Sequence, residues 1–168
     1  NNLETNYMIE MTLDALKAIG PNAAPAIPAL FRSLTAYPDH PAARWTAAHA
    51  LANIGDAAIP TLEKGISSGN DCERIWCHAA MAKIEGPESG HFQFLAAAML
   101  SDNDTSSLEA IRGLTMIGSD SKIVLPHIIE AMDKPATAKT DLAMLLAQMK
   151  TAATPAIPQL VALLDHSH

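Results

Sequence analysis

Ala26-Ile27-Pro28-Ala29-Leu30 returns along the chain as Ala58-Ile59-Pro60-Thr61-Leu62, Val124-Leu125-Pro126-His127-Ile128 and Ala156-Ile157-Pro158-Gln159-Leu160. The prolines stand 32, 66 and 32 residues apart, and 66 is twice 33, so a further copy is due near position 93. It is there as Phe92-Gln93-Phe94-Leu95, with glutamine in place of proline. A period of this length marks a stacked repeat, in which one supersecondary unit cannot bury its apolar face alone and must lean on its neighbours.

A second phrase precedes each copy: Leu16 with Ile19-Gly20, Leu51 with Ile54-Gly55, Met81 with Ile84, Leu114 with Ile117-Gly118, and Leu146 with Met149. Ten residues earlier stand Ile9, Arg44, Arg74, Ser107 and Lys139, each opening a run with apolar residues at helical spacing. The proline-linked segments are helical too. Counted from the proline, positions −1, +2 and +6 are Ile27, Leu30, Leu34; Ile59, Leu62, Ile66; Phe92, Leu95, Met99; Leu125, Ile128, Met132; and Ile157, Leu160, Leu164. Every one is apolar, and steps of three then four keep them on one face of a 3.6-residue helix. Gly20, Gly55, Gly86 and Gly118 end the first helices. Polar segments at Tyr37 to Pro41, Ser67 to Asp71, Ser101 to Ser106 and Asp133 to Thr137 separate each unit from the next. The reading is one all-α domain over residues 1–168, with helical hairpins at approximately 8–36, 41–68, 72–101, 105–133 and 137–165.

Composition narrows the function. Hydrophobic residues make up 49% of the chain and aromatics only 4%, so the core is built from Ala, Leu, Ile and Met, as closely packed helices require. A formal net charge of −7 opposes the phosphate attraction that drives nucleic-acid binding, and equally opposes an anionic membrane surface. No stretch approaches the roughly 20 apolar residues of a membrane-spanning helix, and the N-terminus lacks the build of a signal peptide. The compartment stays unassigned, with the cytoplasm weakly favoured. Cys72 and Cys77 are too few for a disulfide framework or a zinc site, leaving free thiols or one local disulfide.

Arg44-Trp45-Thr46-Ala47-Ala48-His49-Ala50-Leu51-Ala52-Asn53-Ile54-Gly55 and Ile19-Gly20-Pro21-Asn22-Ala23-Ala24-Pro25-Ala26-Ile27-Pro28-Ala29-Leu30 resemble HEAT-like repeats of the phycobilisome-lyase type. The resemblance runs from about Met8 to Leu164. It weakens in the third unit, which loses its proline, and in the fifth, where Met149-Lys150 replaces Ile-Gly. It implies an α-α superhelix, a right-handed solenoid of about five HEAT-like hairpins whose second helices line the concave face. It also implies that Arg44 and Arg74 make ion pairs between repeats. Leu164-Asp165-His166-Ser167-His168 resembles the start of another inter-unit loop, so the chain is expected to be a segment of a longer protein, with end-to-end self-association open to it.

Enzymatic relatives fit poorly. HEAT-like deoxyhypusine hydroxylases hold di-iron through His-Glu dipeptides, and this chain has none. HEAT-like DNA glycosylases present a basic, aromatic-rich groove, whereas here eleven basic side chains face eighteen acidic ones. Trp45 and Trp76 are read as packing residues, and Glu63, Glu85, Glu88, Glu109 and Glu130 as solvated helix faces. None of His40, His49, His78, His91 or His127 has a second histidine at helical ligand spacing, and His166 and His168 adjoin only at the end, so no metal or other cofactor is expected. A phycobilin lyase-like subunit, with Cys72 or Cys77 as a chromophore thiol and His78 as its acid-base partner, is one alternative. Another is the accessory repeat region of an enzyme whose catalytic domain lies elsewhere.

The expected role is a non-catalytic scaffold for a protein or peptide partner. If second helices line the inner face, their outward positions carry the candidates: Phe94, His127 and Gln159 one residue after the proline, and Arg32, Lys64 and Glu130 four after it. Phe94 is either an interface anchor or, with Phe92, core of an irregular third unit.

Overall fold

The computed structural model describes residues 2–37, 40–134 and 138–165. His166 and His168 lie outside these, as do some residues of the first and fourth inter-unit segments. The described residues contain no strand. Among the described residues ten α-helices pair into hairpins: α1 (Asn2–Ile19) with α2 (Ile27–Ala36), α3 (Pro41–Ile54) with α4 (Ile59–Ser68), α5 (Asp71–Glu85) with α6 (His91–Met99), α7 (Asp104–Ile117) with α8 (Leu125–Asp133), and α9 (Lys139–Met149) with α10 (Ile157–Asp165). This is an all-α solenoid of stacked hairpins, as the periodicity predicts, and HEAT-like, as the resemblance implies.

Local chemistry sets the boundaries. Pro28, Pro60 and Pro126 lie in the first turn of α2, α4 and α8, where a missing N–H costs nothing. Asn70 and Asn103 cap α5 and α7 by accepting from the amides of Glu73 and Ser106 at 2.9 and 3.0 Å. The first helices of hairpins two to four stop at Gly55, Gly86 and Gly118, with φ of 79°, 83° and 85°. In four hairpins a short 3₁₀ segment then leads into the second helix; in the third a turn from Gly86 to Gly90 does so instead. The expected departure of unit three is therefore confined to its turn. In the fifth hairpin Lys150 takes the glycine's place with φ 52°.

The second helices bury the predicted face. Leu30, Leu34, Leu62, Phe92, Leu95, Met99, Ile128 and Met132 are buried, and full burial of such a side chain contributes about 1.5–3 kcal/mol. At the last hairpin the same face is open, with Ile157 and Leu164 exposed. Cys72 and Cys77 are both free, which removes the local disulfide. No helix among the described residues is long and apolar enough to cross a membrane.

The two helical layers are not equivalent. Each first helix packs on the next, α1 on α3, α3 on α5, α5 on α7 and α7 on α9, and α3 also touches α7 across the intervening α5. Small side chains permit this: Ala47, Ala48, Ala50, Ala79, Ala80 and Ala110 are buried, and a Cβ on Gly113 would stand 3.0 Å from that of Ala79. Second helices meet one another sparingly and seat instead against first helices, α2 on α3, α4 on α5, and α6 on α5 and α7. The first-helix layer is thus the more closely packed of the two. Alanine-rich first helices draw together more tightly than leucine- and isoleucine-rich second helices.

Candidate interaction surface

A chain of polar contacts runs through the first-helix layer. Glu109 of α7 is only 3% exposed, which corrects its reading as a solvated residue. Its Oε2 accepts from the Trp76 indole of α5 at 2.6 Å, and its Oε1 from Arg44 Nη2 of α3 at 3.2 Å and Arg112 Nη1 of α7 at 3.3 Å. Arg112 continues to Asp141 of α9, Nε to Oδ1 at 3.8 Å. One buried carboxylate therefore ties hairpins two, three and four together, and Arg112 extends the chain to the fifth. Two guanidiniums and an indole compensate a charge that would otherwise be very costly to bury. The Cys72 thiol lies 3.9 Å from Glu109 Oε2, and burial together with that carboxylate pushes its pKa up. Burial pushes Cys77 up further, to about 12, so neither thiol favours the reactive thiolate.

Arg44 thus makes the expected inter-repeat pair. Arg74 does not: its Nη1 meets Asp71 of its own helix at 3.7 Å, and its guanidinium lies 5.4 Å from the Phe94 ring centre. The equivalent position two hairpins on from Arg74 is Asp141 of α9, which lies against Arg112 instead.

Beside this chain of contacts, in the first-helix layer, lies a cleft of about 330 Å³ lined by Pro41, Ala42 and Trp45 of α3, Arg112 and Thr115 of α7, and Asp141 and Met144 of α9. Three hairpins build it. Trp45 is half-buried, set edge-on to His49 with ring centres 5.0 Å apart, and Lys17 Nζ of α1 lies 5.3 Å from its ring centre. Met144 is 52% exposed. The buried Nδ1 of His49 has no hydrogen-bond partner among the described residues. Burial, then the charges of Lys83 and Lys17, lower the His49 pKa to about 4 against an opposing pull from Asp14, so the ring is neutral at pH 7.

The six candidates on the second helices lie outside this cleft. Arg32, Lys64, His127 and Glu130 are exposed on α2, α4 and α8. Gln159 is half-buried, with an Oε1 that has no hydrogen-bond partner among the described residues. Phe94 is stacked on His78, ring centres 3.7 Å apart and planes 18° from parallel. His78 Nδ1 lies 2.8 Å from His91 Nδ1, whose Nε2 meets Glu85 Oε2 at 3.2 Å. Burial, His91 and Arg74 together lower the His78 pKa to about 4. These histidines are 13 residues apart across a hairpin, so a search for helical spacing overlooks them. No cluster of three or more potential metal ligands occurs among the described residues.

Residues 43–68 match the family described as PBS lyase HEAT-like repeat. They comprise nearly all of hairpin two, including Trp45, His49 and Gly55. No curated protein and no solved structure gives a match to the chain. The HEAT-like repeat therefore speaks to architecture, while function has to be read from the surface it builds.

Proposed function

We propose that this HEAT-like array is a non-catalytic protein-interaction scaffold that holds a polypeptide segment in the first-helix cleft around Trp45. The observation that carries the reading is a half-buried tryptophan that shares with the exposed Met144 a mostly apolar cleft assembled from three hairpins. Tryptophan in a concave site is the usual anchor of an interface, because it buries much area at little cost in side-chain entropy. The polar groups beneath it are engaged with one another, so they support a rigid floor rather than an acid-base pair. An alternative docking face is the second-helix surface, favoured by the exposure of Arg32, Lys64, His127 and Glu130.

Cross-linking of the chain to its partners in lysate, followed by mass spectrometry, separates the two. With Trp45→Ala and a paired Arg32→Glu, Glu130→Lys variant, each checked for native helicity, the cleft reading expects a cross-linked protein to be lost only from the Trp45 variant. Loss only from the paired variant moves the site to the second helices, and indifference to both sinks the scaffold reading.

A further inference from the structure

A solenoid hairpin that faces water normally carries a polar outer face. Hairpins one and five do not. Apart from Ile123, the exposed large hydrophobic side chains among the described residues all belong to these two hairpins, with Met8 and Met11 on α1 and Ile157, Val161 and Leu164 on α10. Between α1 and α2 lies a mostly apolar groove of about 260 Å³, whose lining includes Met8, Thr12 and Leu16 of α1 and Ala29 and Ser33 of α2.

The other hairpins show how one unit receives the next. Phe31, three after the proline of α2, packs on Gly65, five after the proline of α4, and Gly65 packs in turn on Cys77, seven before Ile84 of α5. A Cβ on Gly65 would lie 2.7 Å from Phe31 Cε2 and 2.6 Å from Cys77 Sγ. Between hairpins three and four, Leu95, two after Gln93 of α6, lies 3.8 Å from where a Cβ would stand on Gly113, four before Ile117 of α7. The inserting positions in hairpin five are Val161, Leu163 and Leu160, and the receiving positions in hairpin one are Ser33, Thr12 and Ala15. Repeat geometry therefore matches Val161 to Ser33, Leu163 to Thr12 and Leu160 to Ala15. All three receivers are small, Thr12 and Ala15 are exposed, and Ser33 and Thr12 line the groove. Hairpin five thus carries the inserting half, and hairpin one the receiving half, of the contact that already joins hairpins within the molecule.

We propose that the chain binds a second copy of itself head to tail, the Val161 and Leu163 face of α10 seating in the α1–α2 groove of the next copy. A second copy is the occupant because both halves of the contact lie on one chain, in the register that the internal repeats use. Such an interface is heterologous, so each added copy leaves one free face of either kind. It draws on aliphatic contacts and not on the Trp45 cleft.

Sedimentation velocity of the chain from about 1 to about 500 µM tests this. The mean mass is expected to climb with concentration past that of a dimer, and to do so equally at about 0.5 M salt, since the contact is apolar. Val161→Glu blocks the inserting face and Thr12→Glu the receiving groove; each, shown by circular dichroism to be folded, should be monomeric alone. Mixed, the two should form a one-to-one dimer and nothing larger, because each retains the half that the other lacks. A wild-type chain that stays monomeric overturns the proposal and leaves these faces to a different protein. Variants that still assemble alone, or a mixture that restores no dimer, overturn the head-to-tail contact.

Discussion

Glu109 carries more of this structure than any other single charge. Truncation to alanine would take from Arg44 and Arg112 the carboxylate they share, and breaking a buried pair from one side typically costs about 3–5 kcal/mol. Glu109→Ala is therefore expected to lose about that much in urea denaturation, and Glu109→Gln, which keeps an acceptor for the Trp76 indole, clearly less. Equal losses would mean that the hydrogen-bond geometry contributes nothing and that only the charge matters. Lys150 gives the opposite case. Its φ of 52° and ψ of −126° belong to the region occupied by Gly55, at 79° and −142°, and Gly118, at 85° and −132°. A side chain held there costs about 1–3 kcal/mol. Lys150→Gly should raise stability by about 1 kcal/mol, the gain being trimmed by the extra freedom glycine has when unfolded. A fall in stability would show that the strain is not there to be relieved.

At the level of helices, α4 depends on an absent side chain. A Cβ on Gly65 would lie 2.6 Å from Cys77 Sγ of α5 and 2.7 Å from Phe31 Cε2 of α2, distances that real Cβ atoms do not tolerate. Gly65→Ala is a better helix former in isolation, yet must push α4 away from both neighbours. It is expected to destabilise by about 1–3 kcal/mol, readable as a lower thermal midpoint; a rise would mean that propensity outweighs packing here. The helices themselves were legible because apolar residues recur at −1, +2 and +6, and that rule places thirteen of the fifteen positions in or against the core. The exceptions are Ile157 and Leu164 in the last hairpin. Glu109 was not legible as buried, because a carboxylate within a helix normally reads as solvated. Register held a clue: it occupies the position of Thr46 and Trp76, both buried, and is followed by Ala110, Ile111 and Gly113. The His78–His91 contact stayed hidden for a different reason, since it depends on how Gly86 to Gly90 folds the hairpin.

For the molecule as a whole, two neutral histidines tie the fold to pH. His49 and His78 have pKa values near 4 in the folded chain against 6.5 for the free side chain, the first lowered by burial and by Lys83 and Lys17, the second by burial, His91 and Arg74. Between those values the unfolded chain binds protons that the folded chain refuses. Stability rises with pH wherever the unfolded state binds more protons, so the contribution of these rings is complete above about pH 7 and is lost as pH falls through 6.5 towards 4. The histidines belong to hairpins two and three, which Glu109 joins to hairpin four, and the direct contact of α3 with α7 gives the array a coupling beyond nearest neighbours. A simple solenoid would lose its acid-sensitive units piecemeal. Here those units are expected to unfold together, with the urea midpoint falling steadily from about pH 7.5 to about pH 5 while the transition stays single. His49→Gln should flatten that fall without moving the midpoint much at the upper end, because the glutamine cannot take up a proton. In Glu109→Ala the same titration should split into two transitions, as hairpins two and four lose their shared carboxylate. A pH slope unchanged by His49→Gln would refute the assignment of that ring, and a single transition retained in Glu109→Ala would mean that stacking alone couples the hairpins.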